Sequence, residues 1–192
     1  MFSPIDSVMY VITENEHALI IDPCINADAE RMMKERKIKD VLIILTHEHC
    51  DHISGVNWFR ERFSTEVMCS YKCAENIKDP KKNLSQYIDI LFEDVAGYHL
   101  EPFSCVADRW FEGERNMQWN GHSMFLKETP GHSEGSICIL LDKKYAFTGD
   151  YLIEGRKVFT KLPGGSKSKY LNITKPYLDD IKAKYIICQG HK

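Results

Sequence analysis

THEHCDHISG, residues 46–55, sets His47, His49, Asp51 and His52 within six consecutive positions, directly after VLIIL (41–45), which reads as a buried strand. An extended His-x-His presents His47 and His49 on one side. Asp51 and His52 occupy the bend that follows and can face a neighbouring position. Imidazole suits a borderline divalent ion such as zinc, iron, nickel or copper, and the carboxylate adds charge, whereas calcium or magnesium would want oxygens.

Other strand ends supply what this cluster lacks. PGH (130–132) precedes the apolar run SICILL, FTGD (147–150) ends a strand-like stretch, and CQGH (188–191) ends another. Each polar group sits in a turn whose glycine, Gly131, Gly149 or Gly190, lets the backbone approach a metal centre closely.

The rest of the chain alternates strand and helix signals. VMYVIT and HALIID flank the polar ENE as a hairpin, and residues 27–37 read as a helix with Ala29, Met32 and Met33 on one side. ISGVNWFRERF suggests a helix, EVMCS a strand, and NLSQYIDILFED a helix whose Tyr87, Ile88, Leu91 and Phe92 share a face. MQWNGHSMFLKE carries an Asn-Gly turn between β-like arms. SICILL and YAFTG are strands joined by DKK, PYLDDIKAK is a helix and YIICQ a final strand. Residues 93–108 carry the weakest pattern and read as a loop or lid.

Size and composition restrict the function classes. With 192 residues, 43% of them hydrophobic, the chain can bury one core, so a single domain over 1–192 is expected. No apolar run approaches the ~18–20 residues of a membrane span, and the N-terminus has no basic start followed by an apolar signal core. The seven cysteines are scattered without a CxxC pair, which fits reduced thiols and a cytoplasmic location. Residues 151–192 carry nine Lys or Arg against Glu154, Asp179 and Asp180, so that of the overall −3 the first 150 residues hold −9. The basic third is either a solvated surface or the side that meets an anionic ligand.

Taken in order, the Asp22-Pro23 turn after the hairpin, HEHCDH, PGH, TGD and the final GH resemble the metallo-β-lactamase-fold hydrolases, specifically the small glyoxalase II-like members. The resemblance covers nearly the whole chain. It implies a four-layer αββα sandwich, two mixed sheets with helices outside, and two divalent metal ions, zinc first, with iron or manganese as alternatives. Carried over residue by residue, His47, His49 and His132 bind the first ion and Asp51, His52 and His191 the second. Asp150 bridges them, and Asp22 supports the histidine loop from behind. Two ions ~3.5–4 Å apart share a water and lower its pKa toward ~7, giving a bridging hydroxide as nucleophile that Asp51 can orient. The expected partner is a small-molecule substrate, possibly anionic, with neither nucleic acid nor membrane, and the oligomeric state is not specified.

Several positions depart from the family pattern. Cys24 stands where a glycine is usual and reads as a small turn residue, and Cys50 alternates away from the ligands and reads as a spacer. His17, His99 and His122 fall outside every motif and receive no role. Glyoxalase II proper has a C-terminal helical domain that contributes glutathione contacts, yet this sequence ends at Lys192, so glutathione specificity is unsupported. The segment 86–115, with Tyr87, Tyr98, Phe103, Trp110 and Phe111, is either a lid over the metals or a small extra core. The Gly-Gly-Ser turn at 164–166 is either a flexible turn or, with its lysines, a hold for an anionic substrate tail. The leading expectation is hydrolysis of a small thioester or ester. The alternatives are a mononuclear iron persulfide dioxygenase and a phosphodiesterase or nuclease of the same fold, the latter disfavoured by the acidic first 150 residues.

Overall fold

Two short apolar runs decide the layers of this computed structural model, which describes residues 5–91 and 99–192. In β2 (His17–Ile21) and β3 (Asp40–Ile44) every residue after the first is buried. Strands buried on both faces lose the usual apolar–polar alternation. Ala18, Ile20, Val41 and Ile43 turn to one face, where Met33, Phe59 and Ala74 cover them. Leu19, Ile21, Leu42 and Ile44 turn to the other and meet Leu126, Ile137, Ile139 and Phe147 of the second sheet. On that sheet's outer face Cys138, Leu140 and Ala146 pack against Leu178 and Ile181. Three apolar layers between four structural ones make the expected αββα sandwich.

The first sheet adds β1 (Tyr10–Glu14), β4 (Ser64–Ser70) and β5 (Arg109–Phe111), in the order β1-β2-β3-β4-β5, antiparallel at β1/β2 and parallel elsewhere. The second comprises β6 (Glu114–Trp119), β7 (His122–Glu128), β8 (Ile137–Leu141), β9 (Tyr145–Gly149) and β10 (Ile186–Gln189), in the order β10-β9-β8-β7-β6, with only β10/β9 parallel. The Asn120-Gly121 turn closes β6/β7 as read, with φ of 44° and 88°.

Helix α1 (Ala27–Glu35) begins where Asn26 accepts the Ala29 N–H at 2.9 Å, and carries Asp28 and Glu30 in its first turn and Lys34 in its last, all favourable to the helix dipole. The helix read over 53–63 starts earlier, inside the histidine cluster, and is broken into α2 (Cys50–Ile53) and α3 (Val56–Arg60). Gly55 at the break donates to Pro23 O at 2.9 Å, and a Cβ there would lie 2.8 Å from the Pro23 carbonyl carbon. Helix α4 (Tyr71–Asn76) follows β4, capped by Ser70, and neither it nor β5 was expected from the sequence.

Within 86–115, residues 92–98 lie outside the described residues, and with them Phe92 and Tyr98. Around them are a 3-10 turn (Ser85–Tyr87) and α5 (Ile88–Leu91). Phe103 packs on the core beneath the first sheet, Phe111 lies between the sheets, and Trp110 stacks edge-on against Tyr71 on the surface. These three aromatics build core and surface rather than a lid. After β9 the chain runs irregularly to a short helix α6 (Lys167–Lys169), a π turn (Tyr170–Thr174) and α7 (Lys175–Ile181). No described helix is long and apolar enough to cross a membrane.

Candidate metal centre

Every motif sits just past the carboxyl end of a strand, and all those ends lie on one edge of the sandwich. Asp22 follows β2, the histidine loop β3, His132 the loop after β7, Asp150 β9 and His191 β10. Gly149 permits this convergence: its φ is 54°, and a Cβ would stand 2.7 Å from Thr46 Oγ1 at the head of the histidine loop.

The seven expected donors gather into two groups. His49 Nδ1 lies 3.1 Å from His47 Nε2 and 3.0 Å from His132 Nε2. His52 Nε2 lies 3.2 Å from both Asp51 Oδ2 and His191 Nε2. Asp150 stands between them, Oδ2 3.2 Å from His132 Nε2, Oδ1 3.1 Å from His52 Nε2 and 3.0 Å from His191 Nε2. Such spacings approach the ~3.3 Å ligand–ligand edge of a tetrahedral site with bonds of ~2.0–2.1 Å.

Hydrogen bonds on the outer nitrogens decide which way the rings face. His52 Nδ1 donates to Asp22 Oδ2 at 2.8 Å, His132 Nδ1 to Phe159 O at 2.8 Å and His191 Nδ1 to Ile5 O at 3.0 Å. Thr46 Oγ1, which gives its own proton to Asp22, accepts from His47 Nδ1 at 3.0 Å. In these four rings Nε2 therefore points inward. His49 alone turns Nδ1 inward, its buried Nε2 having no hydrogen-bond partner among the described residues.

Inward ring nitrogens and carboxylates crowded together, buried except for the partly exposed Asp150, need positive charge. Burial and the neighbouring imidazoles hold His47 well below the usual imidazole range and His49 down to about 3. Burial also opposes charge on His52, but Asp51, Asp150 and Asp22 outweigh it and hold its pKa well above 6.5. His52 in turn outweighs the burial of Asp51 and, together with His132, that of Asp150, whose carboxyls stay low. Among the described residues Asp150 Oδ1 nonetheless accepts no well-formed hydrogen bond. This donor set fits two divalent cations, nitrogen-rich in the first group and mixed in the second.

Asp22 lies behind the cluster, accepting from Thr46 N at 2.7 Å as well as from Thr46 Oγ1 and His52. Sequence reasoning missed two further buried groups. Glu48, between His47 and His49, accepts from Asn76 Nδ2 at 3.0 Å, Ser133 Oγ at 2.8 Å and Gly135 N at 3.3 Å. It ties the histidine loop to the loop carrying His132. Tyr151 Oη donates to Thr129 O at 2.7 Å and accepts the His132 N–H at 2.8 Å, fixing that loop from the other side. Cys50 is buried, docks through its N–H on Asn83 O and also borders the cleft in front of the donors. His17, His99 and His122 face away from the centre and pair with Asp40, with Asp89 and Glu101, and with Asp142.

A cleft of about 280 Å³ opens onto His49, Asp51, His132, Asp150 and His191. Its other walls are Ile5, Cys50, Leu84, Ile88, Ile153, Phe159 and Leu162, with Arg156 and Lys157 as the cations. The Gly-Gly-Ser turn does not line it: Ser166 N donates to Gly131 O, and the turn packs near Glu134 beneath the His132 loop. The residues that reach the cleft come from just upstream of that turn.

A family model described as the metallo-beta-lactamase superfamily matches residues 3–191. The chain is 28% identical over 183 residues to hydroxyacylglutathione hydrolase GloC of Haemophilus influenzae, covering 93% of this chain and 81% of that protein. Among solved structures it is similar to the BLEG-1 B3 metallo-beta-lactamase, with a TM-score of 0.77 and 28% identity over 99% of this chain and 88% of the other. It also resembles ETHE1 from Myxococcus xanthus, with a TM-score of 0.72 over 100% of this chain and 73% of the other; at 23% identity that likeness shows the fold alone.

Proposed function

The chain belongs to the metallo-beta-lactamase superfamily of metallo-hydrolases, and from that premise we propose that it is a two-metal hydrolase of a small acyl thioester or ester. The observation that carries the reading is the Asp150 carboxylate, which turns one oxygen to each donor group. In this reading His47, His49 and His132 hold the first ion, Asp51, His52 and His191 the second, and Asp150 both. Zinc is the expected metal, with iron or manganese as alternatives. Bound there, two divalent ions acidify a water toward neutral pH and polarise the electrophile.

The chain's own residues supply orientation and recognition. Asp51, at the cleft and in the second donor group, accepts a hydrogen bond from the attacking water. Asp22, Phe159 O and Ile5 O keep the histidine rings aimed, a support whose loss commonly weakens such sites. Arg156 and Lys157 hold an anionic part of the substrate. Water supplies the new bond to the acyl carbon, the carbon–sulfur bond breaks, and the thiol leaves with a proton. The name of the Haemophilus relative supports the thioester class. A small molecule suits the size of the cleft, and an acidic first 150 residues disfavours nucleic acid. We place the protein in the cytoplasm, in keeping with its buried thiols at Cys50, Cys69, Cys73, Cys105 and Cys138.

The test is metal analysis of protein purified without added zinc, followed by steady-state kinetics on thioesters, lactones, phosphodiesters and a persulfide. Two equivalents of metal and thioester turnover are expected. Turnover of the persulfide with oxygen uptake, and of no thioester, would replace this reading with a one-iron dioxygenase.

A further inference from the structure

Leu84 is held in a conformation that its own side chain resists. Its φ is 69°, in the left-handed region where a Cβ crowds the following carbonyl and where glycine, asparagine and aspartate are the usual occupants. The surrounding turn imposes it. Buried Asn83 donates from Nδ2 to Phe103 O at 2.7 Å and Ile77 O at 3.3 Å, and its Oδ1 accepts from Ser85 N at 2.9 Å. Ser85 Oγ donates to Phe103 O at 3.1 Å, and the Asn83 carbonyl accepts the Cys50 N–H of the histidine loop at 2.8 Å. The turn is thus pinned to the loop that carries four of the metal donors, and Leu84 forms part of the cleft wall. Strain over-determined by its surroundings clusters at ligand sites, and this one stands in the wall of the cleft.

Beside the Cys50 thiol and the cations Arg156 and Lys157, the neighbouring walls are apolar. Ile88, Ile153, Phe159 and Leu162 line the cleft with Leu84, and among the described residues its only acids are the donors Asp51 and Asp150. A 2-hydroxyacyl group would set its hydroxyl against aliphatic walls, whereas a saturated chain would bury each methylene against them. Resting on the thioester reading above, we infer that the cleft takes an apolar, straight-chain acyl group, and that Leu84 sets the length of chain it accepts.

Calorimetric titration of the zinc-loaded full chain with straight-chain carboxylates, acetate to decanoate, tests this beside kcat/KM for the matching acyl thioesters. Each carboxylate is the hydrolysis product with a constant head group, so its length dependence reports the walls alone. Wild-type affinity is expected to rise about fourfold per methylene, from ~0.8 kcal/mol per buried CH₂, and then to level off. Leu84→Gly, which suits this backbone, moves the plateau to longer chains. Leu84→Asn also suits the backbone and is close to leucine in size. It leaves the plateau in place and lowers the gain per methylene. Metal content by mass spectrometry stays at the wild-type level in both variants. An unmoved plateau in Leu84→Gly, or wild-type affinity that falls from acetate onward, overturns the inference. If the carboxylates bind with this length dependence while no thioester is turned over, the thioester reading falls and the apolar pocket stands. If thioesters turn over without length dependence, the inference alone falls.

Discussion

Glu48 offers the sharpest test of how the histidine loop is held. Its side chain is buried, and three donors surround it: the Asn76 amide, the Ser133 hydroxyl and the Gly135 N–H. Glu48→Ala removes both oxygens. Ser133 Oγ keeps Ser136 Oγ as a partner at 2.8 Å, so the groups left unsatisfied are the Asn76 amide and the Gly135 N–H. At ~1–3 kcal/mol for each orphaned buried group, the loss is about 2–6 kcal/mol before any cavity term. That is a large share of the ~5–15 kcal/mol that holds a typical domain together. Glu48→Gln should behave differently. The glutamine oxygen can accept from Asn76 and Gly135, and its amide can donate to Ser133 Oγ, whose own proton turns to Ser136. The three surrounding groups stay paired, and the expected cost is ~1–2 kcal/mol, lost charge assistance plus one glutamine N–H that gains no partner. Urea unfolding of metal-free protein, followed by tryptophan fluorescence, gives the two stabilities. Zinc titration against a chromophoric chelator should then show first-site affinity ~10- to 100-fold weaker in Glu48→Ala and near wild type in Glu48→Gln. Equal destabilisation by Gln and Ala, or an Ala variant within ~1 kcal/mol of wild type, would refute the satisfied-carboxylate argument.

Three other outcomes are expected. Asp150→Ala should lower occupancy of both metals, whereas His191→Ala should chiefly empty the second; two equivalents retained in Asp150→Ala protein, by mass spectrometry, would rule out bridging. Asp22→Asn preserves the left-handed backbone at φ 52° but replaces one acceptor shared by Thr46 and His52, so metal affinity should fall by ~10- to 100-fold with little change in fold by circular dichroism. Burial pushes the Cys105 and Cys138 thiols up to about 12, and among the seven cysteines only Cys188 is not fully buried. Iodoacetamide at pH 8 should therefore label Cys188 alone in the native protein and the full set in urea, a pattern read by peptide mass spectrometry.

The candidate donor residues were legible because their chemistry is local and unusual, while their supports were not, because those are settled by distant contacts. His47, His49, Asp51 and His52 announce themselves within six positions, and Gly131, Gly149 and Gly190 mark the other strand ends. Glu48 shared that stretch and could have been found by one further step. Alternation turns it away from its histidine neighbours and into the protein, and a carboxylate there needs donors. Ser133 and Gly135, in the loop that carries His132, supply two of them. The helix break at Gly55 was beyond such reasoning, because it depends on the Pro23 backbone lying against it. Strand β5 was hidden for a similar reason: three residues carry no periodicity, and only pairing with Met68, Cys69 and Ser70 makes Arg109–Phe111 a strand. Leu84 is the extreme case. Nothing about leucine encodes a positive φ, and the propensity rules argue against it. The conformation follows only when Asn83 O meets the Cys50 N–H across the chain. The residues least readable from the sequence are thus those through which one loop fixes another, and at this edge they position the donors and shape the space in front of them.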